Sequence, residues 1–236
     1  MNKAVRNVTS FSVGTDRYSV IILATSIPER MRNLGNRSLL PITDKISLID
    51  KQVEYISHIF PNAEIILVAG FEADKLMNHV PVGIIQVENE KYSEVETVRS
   101  LSIGLRAATR DHIIFIYGHT AFQRDILSSI SNKSALLINN YEHNTLNIGC
   151  CINNDIVENL HFDLPNKWSG IGIVSGLELR LLKSFCWNRS KDNLFIFEAL
   201  NSIINSGGQL LAKQTYNKII PIDVPQSLEI ARKILK

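Results

Sequence analysis

Cysteine is scarce in this chain of 236 residues. The three present, Cys150, Cys151 and Cys186, are odd in number and two are adjacent, which fits neither a disulfide framework nor a zinc knuckle and points to a reducing compartment. Long apolar runs are missing as well. No stretch reaches the roughly 18 apolar residues of a spanning helix, and residues 1–17 hold no apolar core of signal-peptide length. A cytosolic protein, or a component of a particle assembled inside the cell, is therefore expected, with no membrane partner. Charge of one sign is not in excess either: 25 basic against 23 acidic residues leave a formal +2, and no basic tract gathers locally, so a nucleic-acid partner is excluded on charge. Internal repeats and low-complexity segments are absent.

What is present is a balanced composition, 45% hydrophobic, on a length that suits one domain with a sizeable core. Strand signals fall near 19–24, 64–69, 82–88 and 112–117, alternating with helical patterns near 47–60, 72–79 and 95–109. Such alternation predicts a mainly parallel sheet wound by helices on both faces, with ligands beyond the carboxyl ends of the strands, in the loops after Ala24 and around Gly118. The second half changes character, with short strand-like runs at 134–139, 146–152 and 155–160 and helices near 176–184, 192–206 and 226–235. The expected organisation is an N-terminal arm, 1–17, and a single domain, 18–236, in two halves of different pattern, 18–125 and 126–236. The arm, with Val8, Phe11 and Val13 spaced along it, is a candidate contact to a protein partner or to a second copy of the chain.

The segment Val20 to Ile42 carries the most information. Val20, Ile21 and Ile22 read as a buried first strand, a polar loop with Pro28 follows, and Leu39-Leu40-Pro41-Ile42 forms a second apolar patch. Aligned on Leu23-Ala24, Arg30-Met31 and Leu39-Leu40-Pro41-Ile42, it resembles the opening of the nucleotidyltransferases that join a nucleoside triphosphate to a sugar phosphate or phosphocholine, L-A-A-G-x-G-x-R-M followed by P-K-x-L-L-P-I. The resemblance extends to the helix after Ser47, a candidate N-cap, to Glu64–Phe71, to Tyr92–Leu101 with Thr97, Ser100 and Leu101 kept, and to Pro221–Ala231. It implies a three-layer nucleotide-diphospho-sugar transferase fold, GT-A-like and Rossmann-like, with a mainly parallel mixed sheet, in which 18–125 is the nucleotide-binding half and 126–236 the acceptor-side half. It also implies catalytic roles for Arg30, Arg37, His119 and Asp223, a nucleotide pocket of Ala24, Thr25, Ser26, Thr97 and Ser100, and a Mg²⁺ held by Asp223 if the protein is active.

The departures fall on the chemistry. Ser26 and Pro28 stand where the family has its two glycines, which let a backbone wrap a triphosphate closely, and Asn36-Arg37 stands for Pro-Lys. His119 takes the slot of the metal-binding aspartate at the end of the Ile113–Gly118 run, and Gln226-Ser227 replaces an acidic residue after Asp223. Magnesium prefers hard oxygen ligands, so one carboxylate and a histidine make a poor site. Each residue also has a plain structural use: solvated loop charges for the arginines, a hydrogen-bonded ring for His119, a helix cap for Asp223, core packing for Trp168. The expected function is a nucleotidyltransferase-like protein with an impaired site, binding a nucleoside triphosphate or nucleotide sugar, or serving as a structural subunit of an assembly such as a virus particle. The alternative is a working Mg²⁺-dependent transferase that releases pyrophosphate.

Overall fold

The structure, a computed structural model, describes residues 17–27, 29–128, 130–139, 148–216 and 218–235, and of Glu29, Arg30 and Arg32 the backbone alone. The expectations placed on residues 1–16, on Pro28 and on residues 140–144 lie outside this set. The parallel part of the sheet is built around β1 (Tyr18–Ala24), buried along its whole length. It pairs in parallel with β2 (Glu64–Ala69) on one side and β4 (His112–Tyr117) on the other, and β3 (Ile85–Glu88) continues in parallel beyond β2. Runs of Ile, Val and Leu suit strands covered on both faces, which is why these were readable as continuous apolar segments.

Beyond β4 the sheet changes sense. The long β9 (Asn166–Ser175) runs antiparallel to β4 and to β6 (Ala135–Ile138), followed by β10 (Leu211–Gln214), β8 (Ile156–Phe162) and β7 (Ile148–Asn153). Among the described residues the order is β3-β2-β1-β4-β9-β6-β10-β8-β7, and a separate ribbon joins β5 (Thr120–Phe122) to β11 (Ile219–Pro221). The sheet is thus mixed, and mainly parallel only in its first half. The reason is the connections: β7 and β8 are joined by Asn154-Asp155, both at positive φ (49° and 61°), the geometry of a tight hairpin, and no helix separates β8 from β9.

Helices cover both faces. On one, α3 (Thr97–Ala107), α5 (Gly176–Cys186) and α6 (Ile196–Asn205) bury Val98, Leu101, Leu182 and Leu200 against Ile21, Leu23, Ile66 and Phe115. On the other, α1 (Leu48–Ile59), α2 (Ala73–His79) and α4 (Arg124–Ser128) bury Ile49, Ile56, Leu76 and Ile126 against Val20, Ile22, Leu67 and Ile114. The period-2 alternation of β1 divides its side chains between these two cores. Ser47 caps α1 in a capping box with Asp50, as its position before the apolar face predicts. The last helix, α7 (Pro225–Ile234), packs Leu228 and Ala231 in a third cluster with Met31, Leu40, Ile42 and Ile222. The helix expected over 192–206 begins only at Ile196, where Glu198 Oε2 accepts from the Phe195 amide at 2.8 Å and marks the helix start.

At the base of the sheet Glu64 joins three segments. It accepts from Ser19 Oγ at 2.6 Å and from the Thr109 amide at 3.0 Å, also accepts from Thr109 Oγ1, and lies 3.4 Å from Arg110 Nε, with its side chain 16% exposed. Burial alone would raise its pKa, but the bonds from Ser19 and Thr109 and the Arg110 charge outweigh it and hold Glu64 below its ordinary 4.5. A carboxylate depressed in the folded state stabilises fully above its unfolded pKa and loses that contribution as pH falls through its folded value. Glu64→Gln is therefore expected to be less stable than wild type in urea at pH 7, with the gap closing as pH falls below the ordinary 4.5; a gap independent of pH would show that the charge is not what Glu64 contributes.

The cysteines form no disulfide among the described residues, and burial pushes the Cys150 and Cys186 thiols up to about 12. No helix among the described residues is long and apolar enough to cross a membrane.

Candidate functional site

Three chain reversals meet at the carboxyl ends of β1, β2 and β4. The Gly118 amide donates to Leu23 O at 2.8 Å and the Phe71 amide to Thr25 O at 3.1 Å, so the loop after β1 is held from both sides. Gly118 is required by this approach: a Cβ there would lie 2.6 Å from Ser38 Oγ and 3.0 Å from Ala24 Cα. Asn36, buried at the position aligned with the family proline, works as a strut. Its Nδ2 donates to Phe71 O (2.6 Å) and Ala24 O (3.4 Å), its amide to Glu72 Oε2 (2.8 Å), and its Oδ1 accepts from the Ser38 amide (2.9 Å). The 3₁₀ turn Arg37–Leu39 is thereby set against the β1 loop.

Arg37 is the hub of the polar cluster that results. Its Nη1 lies 2.5 Å from Asp223 Oδ1 and donates to Ile222 O at 3.4 Å, while Nη2 donates to Ser26 Oγ at 2.7 Å. The Arg37 side chain is 11% exposed and that of Asp223 31%. Burial lowers the Arg37 pKa, Asp223 opposes the shift, and the guanidinium stays charged at neutral pH. Asp223 is oriented from behind by Ser227, whose Oγ accepts from the Asp223 amide at 3.1 Å and the Val224 amide at 3.3 Å at the start of α7. The serine that stands for an acidic residue thus acts as a helix-entry cap.

His119 Nε2 lies 3.6 Å from the same Asp223 Oδ1, and its carbonyl accepts from the Ile222 amide at 2.8 Å. Its ring stacks on Tyr117 at 5.4 Å and 17°. Burial first, and the neighbouring Arg37 charge second, drive its pKa far below the ordinary 6.5 against the pull of Asp223, so the imidazole is neutral. Tyr117 in turn hydrogen-bonds Thr97, and burial pushes its phenol up to about 12 against that bond, with Glu96 adding to the rise.

Beside this cluster opens a cleft of about 490 Å³ lined by Thr25, Ser26, Ile27, Tyr92, Glu94, Glu96, Thr97 and Ser100 among others. Ser26 belongs to both, so the charged cluster sits at one end of the cleft. Thr25 Oγ1 and Ser100 Oγ are 2.9 Å apart, and Asn89 Nδ2 donates to Ser100 at 3.1 Å, which ties the β1 loop to α3. Thr97 Oγ1 accepts from the Ile196 amide at 3.0 Å. Ala24, expected in the same lining, is not there: its side chain is buried in the core under Gly118, because it points to the α1 face of the sheet. The Arg30 side chain lies outside the described residues. Trp168 is packing, with Nε1 donating to Ile171 O at 2.9 Å and its ring set against Phe115 and Tyr117.

Gln52, Tyr117 and Glu96 also shape the site, and none is among the candidate residues named from the sequence. Gln52 was findable, since it sits on the buried face of α1 and donates to Thr120 O at 2.8 Å, bracing the turn that carries His119. A lone amide on an apolar helix stripe signals such a strut. The donor set at the cluster does not fit magnesium, which takes several hard oxygens: the one carboxylate is already bound by a guanidinium, and its neighbour is a neutral imidazole. Among the described residues no group of three or more His, Cys, Asp or Glu is placed to hold a metal ion.

No family model and no curated protein matches this sequence. Solved structures do match over nearly the whole chain. The CTP:phosphocholine cytidylyltransferase of Streptococcus pneumoniae aligns with a TM-score of 0.74 at 20% identity, covering 93% of this chain and 100% of its own. An inositol-1-phosphate CTP transferase of T. maritima gives 0.73 at 19% identity, with 92% and 96% covered. A Bacillus anthracis protein assigned as a glucose-1-phosphate thymidylyltransferase gives 0.74 at 16%, with 92% and 95% covered. The chain has the α/β fold of nucleotidyltransferases, and at these identities the likeness speaks for the fold alone.

Proposed function

We propose that the protein is a nucleotide-binding member of the GT-A-like, three-layer transferase fold in which metal-dependent nucleotidyl transfer is impaired. The observation that carries this reading is the contact between Arg37 and Asp223, with neutral His119 beside it. Where a transferase needs carboxylates free for a cation, this chain places a fixed guanidinium. The same group supplies positive charge at the end of the cleft where a phosphate chain would lie. Tyr92, Thr97 and residues 25–27 bound the remaining volume, where a base and sugar would be held.

The expected result in a thermal-shift titration is that nucleoside triphosphates or nucleotide sugars raise the melting temperature equally with and without Mg²⁺, since ligand binding to the folded state alone raises it. Pyrophosphate release stays at background. A melting temperature that rises only when Mg²⁺ accompanies the triphosphate, together with pyrophosphate production, would establish the second reading, a working transferase, which the intact cleft and the fold of the neighbours favour. In the impaired reading the protein acts by binding, as a subunit of a larger assembly.

A further inference from the structure

We infer a second ligand site, separate from the cleft, that binds a small organic anion carrying a phosphate-type group. An open cavity of about 410 Å³ lies between β3, α3 and the 3₁₀ turn Arg189–Lys191, lined by Val87, Arg99, Ile103, Arg106, Ala107 and Arg189. Arg99, Ile103, Arg106 and Ala107 are spaced at i, i+4, i+7 and i+8, so α3 presents them on one face. Val87, Ile103 and Ala107 make an apolar floor, and Arg99, Arg106 and Arg189 complete the lining.

The charge at this cavity is largely unmatched. Arg99 has a carboxylate, Asp192 Oδ2, at 3.7 Å. Arg106 has none among the described residues and is instead placed over the Trp187 ring, 5.8 Å from its centroid. Arg189 likewise has no carboxylate partner among the described residues. Lys191 lies two residues further on, over the Phe185 ring. Gathering like charges costs Coulomb energy that an anion relieves, and guanidinium forks match phosphate geometry. The walls are preorganised, because the Glu96 amide donates to Asp192 O at 3.2 Å and the Val98 amide to Leu194 O at 3.1 Å, which fixes the 189–194 segment against α3. The apolar floor favours a ligand with a flat hydrocarbon or ring body over a bare inorganic ion.

Phenyl phosphate and inorganic phosphate, each titrated calorimetrically into the full chain, test this. Phenyl phosphate is expected to bind saturably and more tightly than inorganic phosphate. The surface double variant Arg106→Ala, Arg189→Ala is expected to weaken it at least about tenfold, because each charge-assisted hydrogen bond lost costs about that factor. Arg37→Gln, in the cleft, should leave it unchanged. Equal binding by wild type and the double variant, no saturable binding by wild type, or loss in Arg37→Gln instead would overturn the inference. Failure here leaves the reading of the cleft standing, since no residue is shared.

Discussion

Replacing Arg37 by alanine is expected to destabilise the protein by about 2–3 kcal/mol, less than the 3–5 typical of fully buried pairs because Asp223 retains contact with solvent. For a chain of this length that corresponds to a fall in melting temperature of roughly 5–10 °C. The loss has three parts: an Asp223 carboxylate without its counter-charge, a Ser26 hydroxyl without its donor, and a polar hole beside Ile222. A double-mutant cycle with Asp223→Ala separates the pair from the rest, and near-zero coupling would show that the contact contributes nothing. The double variant Arg37→Ala, His119→Asp removes the guanidinium and adds a second carboxylate next to the first. It should gain what the wild type lacks, an additional thermal shift when Mg²⁺ accompanies a triphosphate. A variant that stays indifferent to Mg²⁺ would mean that Arg37 and His119 are not what displaces the cation.

A loss of similar or greater size is expected from Phe115→Ala, about 3–5 kcal/mol and a melting temperature lower by roughly 10 °C or more. Phe115 is fully buried in β4, edge-on to Trp168, and its ring fills the space above Gly172 of β9, where a Cβ would lie 2.2 Å from Phe115 Cζ. The backbone on that side cannot collapse into the void, so the cavity stays open. The pairing has a signature. Gly172→Ala alone should destabilise by overpacking, about 1–3 kcal/mol, whereas in the Phe115→Ala background the added methyl occupies vacant space and should recover stability. Additive losses in the two changes would show that the ring and the glycine do not share this space.

The same pair explains what was legible in the sequence and what was not. The strands β1, β2 and β4 were readable because burial on both faces leaves an unbroken apolar signature, and α1 because Ser47 and an apolar stripe mark its start and face. The central β9 was not readable. Its Gly170 and Gly172 are there to admit the rings of Tyr117 and Phe115, and glycines chosen by a neighbour in space resemble turn residues along the chain. At the site, the juxtaposition of His119 and Asp223 followed from the family resemblance. The direct contact between Arg37 and Asp223 did not, because pairing across 186 residues leaves no mark on spacing. Ser227 was legible as a departure, but its use as a cap is visible only in three dimensions.

That separation along the chain bears on assembly. A polypeptide emerging residue by residue can complete the parallel half of its sheet while the rim of its cleft still lacks Asp223, β11 and α7, which come later in the sequence. Closure of contacts so distant in sequence is slow relative to local folding. Until it happens, Arg37 stands without its counter-ion, and an anion bound at that moment would compete with the chain's own carboxylate for the same guanidinium.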